Sequence, residues 1–258
     1  MLGDFLRYDF GYDWPWTLGH ALAAAGFGLA AGLVWRAGWR RTGLALALLA
    51  LWGVTAGIVL NGVMRFSRPI TLPTERFLAS GRGEVLDVGA GSGRSALMVL
   101  LARPDARLTA LDIFSGDYGM SDNSPDRLRA NARAAGVEAR LDVRTGDMRA
   151  LPFADATFDG AVSAFAIDHL NRDDRRRTFA ELRRVLRPGG DFLLLVVNND
   201  AWIRFTLPFL VHHGYFGPRT PAERWRGELT DAGFAVVEDG TQPGALYLLA
   251  RAGGARTP

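Results

Sequence analysis

A glycine-rich turn between two apolar runs constrains the fold of this chain more than any other feature. Residues 85–88 have the composition of a buried strand, and the run that begins at Ser95 has that of a helix. Gly89, Gly91 and Gly93 lie between the two runs. Glycine adopts the backbone conformations that an abrupt turn needs, and it lets a ligand approach the main chain closely. The stretch therefore predicts a strand–turn–helix unit that binds a ligand at the turn.

The residues around the glycines argue against a dinucleotide site. In the dinucleotide fingerprint G-x-G-x-x-G, the third glycine would stand where this chain has Arg94. Asp87 precedes the turn, and a carboxylate there repels a pyrophosphate but favours a cation. Asp112 ends the next apolar run, where an acid accepts hydrogen bonds from ribose hydroxyls in nucleotide-binding α/β units. The acid beside the turn therefore favours a cationic ligand over a pyrophosphate. The alternatives are a glycine turn without a ligand and, for Asp112, a solvated aspartate at the end of a strand.

Residues 85–96 resemble motif I of the class I S-adenosylmethionine-dependent methyltransferases. Asp112, residues 153–163 and the Leu-Arg-Pro-Gly-Gly segment ending at Gly190 resemble later parts of that family in the right order. The resemblance covers about residues 72–258 and implies S-adenosylmethionine as the cofactor. It also implies an α/β fold with a Rossmann-like, doubly wound, seven-stranded sheet in the order 3-2-1-4-5-7-6, the last strand antiparallel.

The resemblance further implies which residues contact the cofactor. The backbone of the glycine turn would hold the methionine part, with Asp87 orienting its ammonium group indirectly. Asp112 would hold the ribose and Asp147 the adenine. The full set of implied cofactor-binding residues is Asp87, Gly89, Ala90, Gly91, Gly93, Asp112, Ile113, Gly146, Asp147, Met148 and Ser163.

Two ionisable residues, Asp168 and His169, lie after the predicted fourth strand. Open α/β sheets bind their ligands at this edge, and a histidine there can take a proton from an O–H or N–H nucleophile. We therefore predict Asp168 and His169 as catalytic residues. The alternative is that His169 packs beneath the next helix, because many members of the family have a non-catalytic histidine at this place.

The segment after the predicted fifth strand, residues 198–216, is apolar but bracketed by polar residues, and Pro208 prevents it from forming one regular helix. The resemblance implies that this segment builds the acceptor pocket; core packing is the alternative. The loop 113–123 is longer than usual for the family, and it either covers a ligand or is an inert insertion. The predicted substrate residues are Tyr118, Asn198, Trp202, His212 and Tyr215.

Two uncharged segments, residues 17–35 and 42–64, precede the methyltransferase-like region. Each has about the 20 residues that a transmembrane helix needs. We predict a transmembrane hairpin and linker over residues 1–71, followed by a catalytic domain over 72–258; buried helices of a soluble domain are the alternative. Each segment carries a glycine pair that would let two helices approach closely, Gly28/Gly32 and Gly53/Gly57.

Composition excludes several kinds of chemistry. Because the chain has no cysteine, disulfides, zinc–thiolate sites and thiol nucleophiles are excluded. His212 and His213 are adjacent and cannot both face one metal ion from a regular helix, so we predict no metal site. With a net charge of +3 and no block of like charges, we expect no nucleic-acid partner, and the mixed-charge run 172–177 predicts a solvated helix face.

Together these features predict a membrane-anchored methyltransferase that acts on a small or lipid-like acceptor. The arginines flanking the hairpin do not decide its orientation, and we place the catalytic domain in the cytoplasm because S-adenosylmethionine is a cytosolic metabolite. The alternative function is a non-catalytic membrane scaffold that retains the fold. The acceptor atom and the oligomeric state stay open.

Overall fold

The computed structural model describes residues 7–115, 123–208 and 220–253. Its strands are β1 (Arg82–Val88), β2 (Asp105–Asp112), β3 (Leu141–Thr145), β4 (Phe158–Ala164), β5 (Leu186–Val197), β6 (Phe234–Gln242) and β7 (Ala245–Ala252). Its helices are α1 (Gly19–Arg36), α2 (Arg40–Ile58), α3 (Arg94–Ala102), α4 (Pro125–Ala135), α5 (Arg172–Val185), α6 (Ala201–Thr206) and α7 (Pro221–Asp231). A single helical turn at Trp14–Thr17 precedes α1, and a π-helical turn at Val59–Val63 extends α2.

All strands form one sheet in the order β3-β2-β1-β4-β5-β7-β6. The first five strands pair in parallel, and β7 runs antiparallel to both β5 and β6. The predicted order and the antiparallel last strand are confirmed. Residues 192–197 of β5 are all apolar because both faces of the sheet are covered there: Phe192 and Leu194 pack in one core cluster, Leu193 and Leu195 in the other.

The helix starts follow local sequence signals. Ser124 Oγ accepts a hydrogen bond from the Arg127 amide at the start of α4. Thr220 and Glu223 form a complete capping box at the start of α7. The sequence predicts both starts, because Ser124 directly precedes a proline and Thr220 precedes a glutamate by three residues.

The sequence predicts that residues 187–190 form a turn after the helix and that the fifth strand begins at Asp191, but the strand begins at Leu186. Leu186 already pairs with Phe158, and pairing resumes where Asp191 meets Gly160. The intervening residues form an irregular stretch in which Gly189 has a φ of +80°. The Pro-Gly-Gly segment therefore bulges within the strand instead of separating it from the helix.

The predicted solvated face of the mixed-charge run is wrong at Arg175, which is buried in α5. Its Nε and Nη2 donate to the Glu228 carboxylate of α7 at 2.7 and 3.0 Å. Its Nη1 donates to the Leu170 carbonyl at 2.7 Å. The charge pattern of the run cannot show this pairing, because the partner lies on another helix.

Helices α1 and α2 pack against each other as a hairpin, and glycine allows their close approach. A Cβ atom on Gly53 would lie 3.0 Å from the His20 carbonyl oxygen and 3.1 Å from the Ala24 Cβ. Nothing lies within 4 Å of a Cβ placed on Gly32, so this glycine is not part of the close contact. The two helices also approach closely at their other end, where a Cβ atom on Gly43 would lie 2.9 Å from Trp35 Cε3.

Two membrane-spanning helices are not confirmed. Among the described residues, one helix, Arg40–Val63, is long and apolar enough to cross a membrane, judged by length and composition only. Helix α1 has 18 residues, about 27 Å at 1.5 Å per residue, which is less than the ~30 Å hydrocarbon core. His20 at one end and Arg36 at the other lower its apolar character further.

Residues before α1 pack onto the methyltransferase-like unit rather than onto the hairpin. Phe10 is 4% exposed and belongs to the core cluster that contains Leu97 and Leu128. The segment that enters the hairpin thus contributes to the catalytic core, although the sequence grouped it with the hairpin.

Candidate cofactor and acceptor site

The cofactor turn joins β1 to α3. Gly89, Gly91 and Gly93 all have left-handed φ angles, of +74°, +52° and +92°. A Cβ atom on Gly89 would collide with the Ala166 side chain and lie 2.9 Å from Met148 Cε. The Gly89 amide donates to the Leu111 carbonyl at 2.8 Å, which fastens the turn to β2. Only glycine fits at this position, on grounds of both backbone conformation and space.

Asp87 is fully buried at the end of β1. Its Oδ2 accepts a hydrogen bond from Ser95 Oγ at 2.7 Å, whereas its buried Oδ1 has no partner. Burial raises the pKa of Asp87 to about 7, against the lowering effect of the Ser95 hydrogen bond. A buried oxygen without a partner is costly. A carboxylate at this place favours a cation at the turn, and the family resemblance implies that it orients the ammonium group of S-adenosylmethionine indirectly.

Asp112 ends β2 and is held by three hydrogen bonds. Its Oδ2 accepts from the Gly91 amide at 2.9 Å, and its Oδ1 from the Phe114 amide at 2.7 Å and Asn123 Nδ2 at 3.2 Å. A carboxylate has about four acceptor positions, so Oδ2 can accept one further hydrogen bond, for example from a ribose hydroxyl. The neighbouring Ile113 is 54% exposed and offers an apolar surface at the same edge.

The predicted adenine site lies after β3. The Gly146 amide donates to the Asp112 carbonyl at 3.0 Å, which places this loop beside β2. Asp147 is held by Arg149, whose Nε and Nη2 donate to its two oxygens at 3.0 and 2.7 Å. Hydrogen bonding to Arg149 holds the pKa of Asp147 below its usual range. The contact of Asp147 with adenine stays a prediction, and it would compete with this ion pair.

Ser163 lies inside the sheet. It is fully buried, and its hydroxyl donates to the Val88 carbonyl at 2.9 Å. In this structure the Ser163 side chain therefore cross-links β4 to β1 beneath the cofactor turn.

The two predicted catalytic residues lie in a short 3₁₀ turn, Ile167–His169, after β4. Asp168 Oδ2 accepts from the Val197 amide at 3.2 Å, and its buried Oδ1 has no hydrogen-bond partner. Burial raises the pKa of Asp168, against the lowering effects of His169 and Arg175. The His169 side chain is exposed. Asp168 thus lies between the ends of β4 and β5, and a catalytic role for Asp168 or His169 stays a prediction.

Of the predicted substrate residues, Asn198 and Trp202 are described, whereas Tyr118, His212 and Tyr215 lie outside the described residues. The Asn198 amide donates to the Gly244 carbonyl at 3.0 Å. Trp202, in α6, is 40% exposed. Asn198 directly follows β5 and Trp202 lies in the helix after it, and their contact with an acceptor stays a prediction.

Helix α6 ends against the hairpin, a contact that the sequence did not predict. His20 Nε2 lies 2.6 Å from the Thr206 carbonyl oxygen, and Trp52 Nε1 donates to the Phe205 carbonyl at 2.9 Å. The last carbonyl groups of a helix have no partner within it and need one from elsewhere. The sequence does show polar side chains, such as His20, inside the apolar segments. It does not show which group they bind.

The strained residues at this edge were also not predicted. Phe114 and Phe165 have φ angles of +52° and +56°. Such angles are uncommon for bulky residues and concentrate at functional sites. Phe114 follows Asp112 and Phe165 follows β4, so both flank the cleft where the carboxyl ends of the strands meet.

Comparisons with known proteins agree with this geometry. A methyltransferase-domain family model matches residues 85–190. An O-methyltransferase of Aspergillus nomiae is 30% identical over 164 residues, which cover 62% of this chain and 68% of the relative. A ubiquinone/menaquinone biosynthesis C-methyltransferase of Paracoccus denitrificans is 39% identical over 111 residues. That match covers 43% of this chain and 41% of the relative, so the chain matches less than half of that protein's length.

Solved structures share the fold. An O-methyltransferase family protein from Burkholderia thailandensis has a TM-score of 0.55 at 17% identity, covering 82% of this chain and 61% of that one. The [4+2]-cyclase SpnF has a TM-score of 0.53 at 21% identity, covering 70% of this chain and 79% of that one. With its glycine turn, its buried acid and its curated relatives, the chain belongs to the S-adenosylmethionine-dependent methyltransferases.

Proposed function

We propose that this methyltransferase is anchored in a membrane by the α1–α2 hairpin, with its catalytic unit in the cytoplasm, and methylates a lipid-like acceptor. The observation that carries the proposal is the exposure of the hairpin's apolar side chains. Leu29 is 69% exposed and Leu48 is 59% exposed. In the most apolar part of the helix Arg40–Val63, only 22% of the segment is buried inside the protein, whereas a core helix would be mostly buried. Exposing this much apolar surface to water is unfavourable, and a bilayer would cover it.

The contact between α6 and the hairpin supports a lipid-like acceptor. The segment that begins at Asn198 leaves the carboxyl edge of the sheet and ends α6 on His20 and Trp52 of the hairpin. An acceptor entering from the bilayer along the hairpin would therefore meet the acceptor segment directly. A mainly apolar cavity of about 670 Å³ lies at this end of the hairpin and offers space for a hydrocarbon chain; it is lined by Leu18, His20, Ala21, Ala24, Ala25, Gly53, Val54, Gly57, Ile58 and Asn61.

The relatives independently support a lipid-like acceptor. One of them is a C-methyltransferase of ubiquinone/menaquinone biosynthesis.

Another cavity of this structure, about 690 Å³ and lined by Arg82, Asp159 and Asp191 among others, is not a good candidate for the acceptor site. It lies at the opposite edge of the sheet, whereas open α/β sheets bind ligands at the carboxyl ends of their strands.

The residues of the cleft have defined roles in this proposal. When bound, S-adenosylmethionine supplies a methyl group on a positively charged sulfur, and the chain has to place the acceptor in line with it. The glycine turn and Asp112 would hold the cofactor, with Asp87 orienting its ammonium group indirectly. Asp168 or His169, in the turn after β4, would take the proton of an O–H or N–H acceptor. Holding two reactants at attack distance can supply ~7–11 kcal/mol of the barrier.

The proposal is tested with the full chain reconstituted in liposomes. We expect the protein to stay with the membrane after washing with alkaline carbonate. With methyl-labelled S-adenosylmethionine and added lipid and quinone fractions, we expect label in the organic phase. The Asp112→Ala variant, matched in amount, should lower this labelling by roughly tenfold or more because a cofactor contact is lost. Release of the protein by carbonate would contradict the anchor, and label found only in water-soluble products would contradict the lipid-like acceptor.

A further inference from the structure

Arg94 follows the cofactor turn and joins it to the segment before the hairpin and to the segment after it. Its Nε donates to the Arg68 carbonyl at 3.0 Å and its Nη2 to the Arg65 carbonyl at 3.0 Å. Its Nη1 donates to Tyr12 Oη at 3.1 Å. One guanidinium group thus binds the segment that enters the hairpin and the segment that leaves it.

Aromatic rings surround the same guanidinium. Arg94 Cζ lies 5.9 Å from the ring centres of Phe10 and Tyr12 and 5.6 Å from that of Phe66. The Tyr12 and Phe66 rings are themselves in contact, with centres 4.3 Å apart. Cations are attracted to the faces of aromatic rings, so these three rings add to the hydrogen bonds that hold Arg94.

The segment before the hairpin is also bound to the cofactor turn itself. We call residues 7–13 the strap. Asn131 is 3% exposed, and its Oδ1 accepts from the Asp9 amide at 2.9 Å. Its Nδ2 donates to the Asp9 carbonyl at 2.7 Å and to the Ser92 carbonyl at 2.9 Å. Because Ser92 lies inside the turn, one buried amide fixes strap and turn together.

The segment after the hairpin reaches Arg94 through an unusual helix end. The π-helical turn Val59–Val63 widens the last turn of the hairpin. Arg65 follows with a φ of +55°, which is uncommon for a residue other than glycine. Its carbonyl then accepts the hydrogen bond from Arg94. The backbone at the exit of the hairpin is thus arranged to meet the helix that follows the cofactor turn.

We propose that Arg94 is a positioning residue that holds the cofactor turn in its binding conformation by binding the strap and the exit of the hairpin. The affinity for S-adenosylmethionine therefore depends on correct docking of the hairpin. This inference rests on the family's cofactor and on the proposed anchor, and it adds a physical link between them.

The test compares two arginine-to-lysine variants of the full chain in detergent micelles. Lysine keeps the charge but cannot reproduce a fork that binds three acceptors. The matched control is Arg140→Lys, because Arg140 also donates to three backbone carbonyls near the other end of α3, those of Leu100, Arg103 and Ala106. We expect Arg94→Lys to weaken calorimetric binding of S-adenosylmethionine and S-adenosylhomocysteine about tenfold, and Arg140→Lys to leave both affinities unchanged.

Amide exchange in the cofactor-free protein gives a second measurement. We expect faster exchange at Gly91 and Gly93 in Arg94→Lys than in Arg140→Lys. A smaller effect of the same kind is expected for Tyr12→Phe, which removes one of the three hydrogen bonds. Equal affinities and equal exchange in the two lysine variants would overturn the inference. If the wild-type chain itself bound no S-adenosylmethionine, the cofactor assignment would fail instead, so the two failures are distinguishable.

Discussion

At the scale of single residues, Asp87 makes the stability of the cofactor-free protein depend on pH. Burial raises the pKa of Asp87 from 3.8 to about 7 in the folded state. Between these values the folded protein holds a proton that the unfolded chain has lost. The free energy of unfolding should therefore fall as pH rises from about 4 to about 7, by up to ~1.4 kcal/mol per pH unit from this group, and level off above. Urea unfolding of wild type and Asp87→Asn at several pH values measures this contribution, which the asparagine variant should lack.

Cofactor binding should show the opposite trend with pH. An ammonium group prefers the ionised carboxylate, so the affinity for S-adenosylmethionine should rise as pH increases through about 7. An affinity that changes equally with pH in wild type and Asp87→Asn would contradict the assignment of Asp87 to the ammonium group.

At the scale of elements, the Arg175–Glu228 pair joins α5 to α7 inside the protein. The Arg175 side chain is 7% exposed and that of Glu228 is 20% exposed. Glu228→Ala would leave the buried guanidinium unpaired and should lower the free energy of unfolding by ~3–5 kcal/mol, as in other buried pairs. Denaturant unfolding measures this loss.

The control for this prediction is an exposed ion pair on strand β3. Arg144 and Asp142 lie 2.7 Å apart on β3 with side chains 62% and 54% exposed. Asp142→Ala should cost less than about 1 kcal/mol. Similar losses in Asp142→Ala and Glu228→Ala would show that the buried pair contributes no more than a surface one.

At the scale of the whole molecule, the hairpin should hold the acceptor segment in place as well as anchor the chain. Trp52→Phe keeps an aromatic ring but removes the donor to the Phe205 carbonyl. Loss of one hydrogen bond of about 1 kcal/mol should speed amide exchange in α6 about fivefold while leaving β1–β5 unchanged. Trp39→Phe, at the far end of the hairpin and 67% exposed, is the control. Equal exchange in α6 for both variants would show that the hairpin does not stabilise the acceptor segment.

Prediction from sequence worked best where the signal is local. The glycine turn, the Ser124 cap and the Thr220 capping box were all predicted, because each depends on residues a few positions apart. The order of the sheet was predicted through the family resemblance, since local patterns do not order strands. The prediction of two spanning helices was not confirmed, because the first uncharged segment forms a helix, α1, that is shorter and more polar than a typical transmembrane helix.

By itself, the sequence determined that a buried strand with an acid near its end leads into a glycine turn, and the kind of cofactor followed from the family resemblance of this stretch. Backbone conformation and side-chain type set these features, and both are properties of adjacent residues. Only the tertiary structure decided that Arg175 is buried, that Arg94 binds Tyr12, and that His20 meets the Thr206 carbonyl 186 positions away. Such contacts form when distant segments are packed together, and no local pattern records which segments will meet.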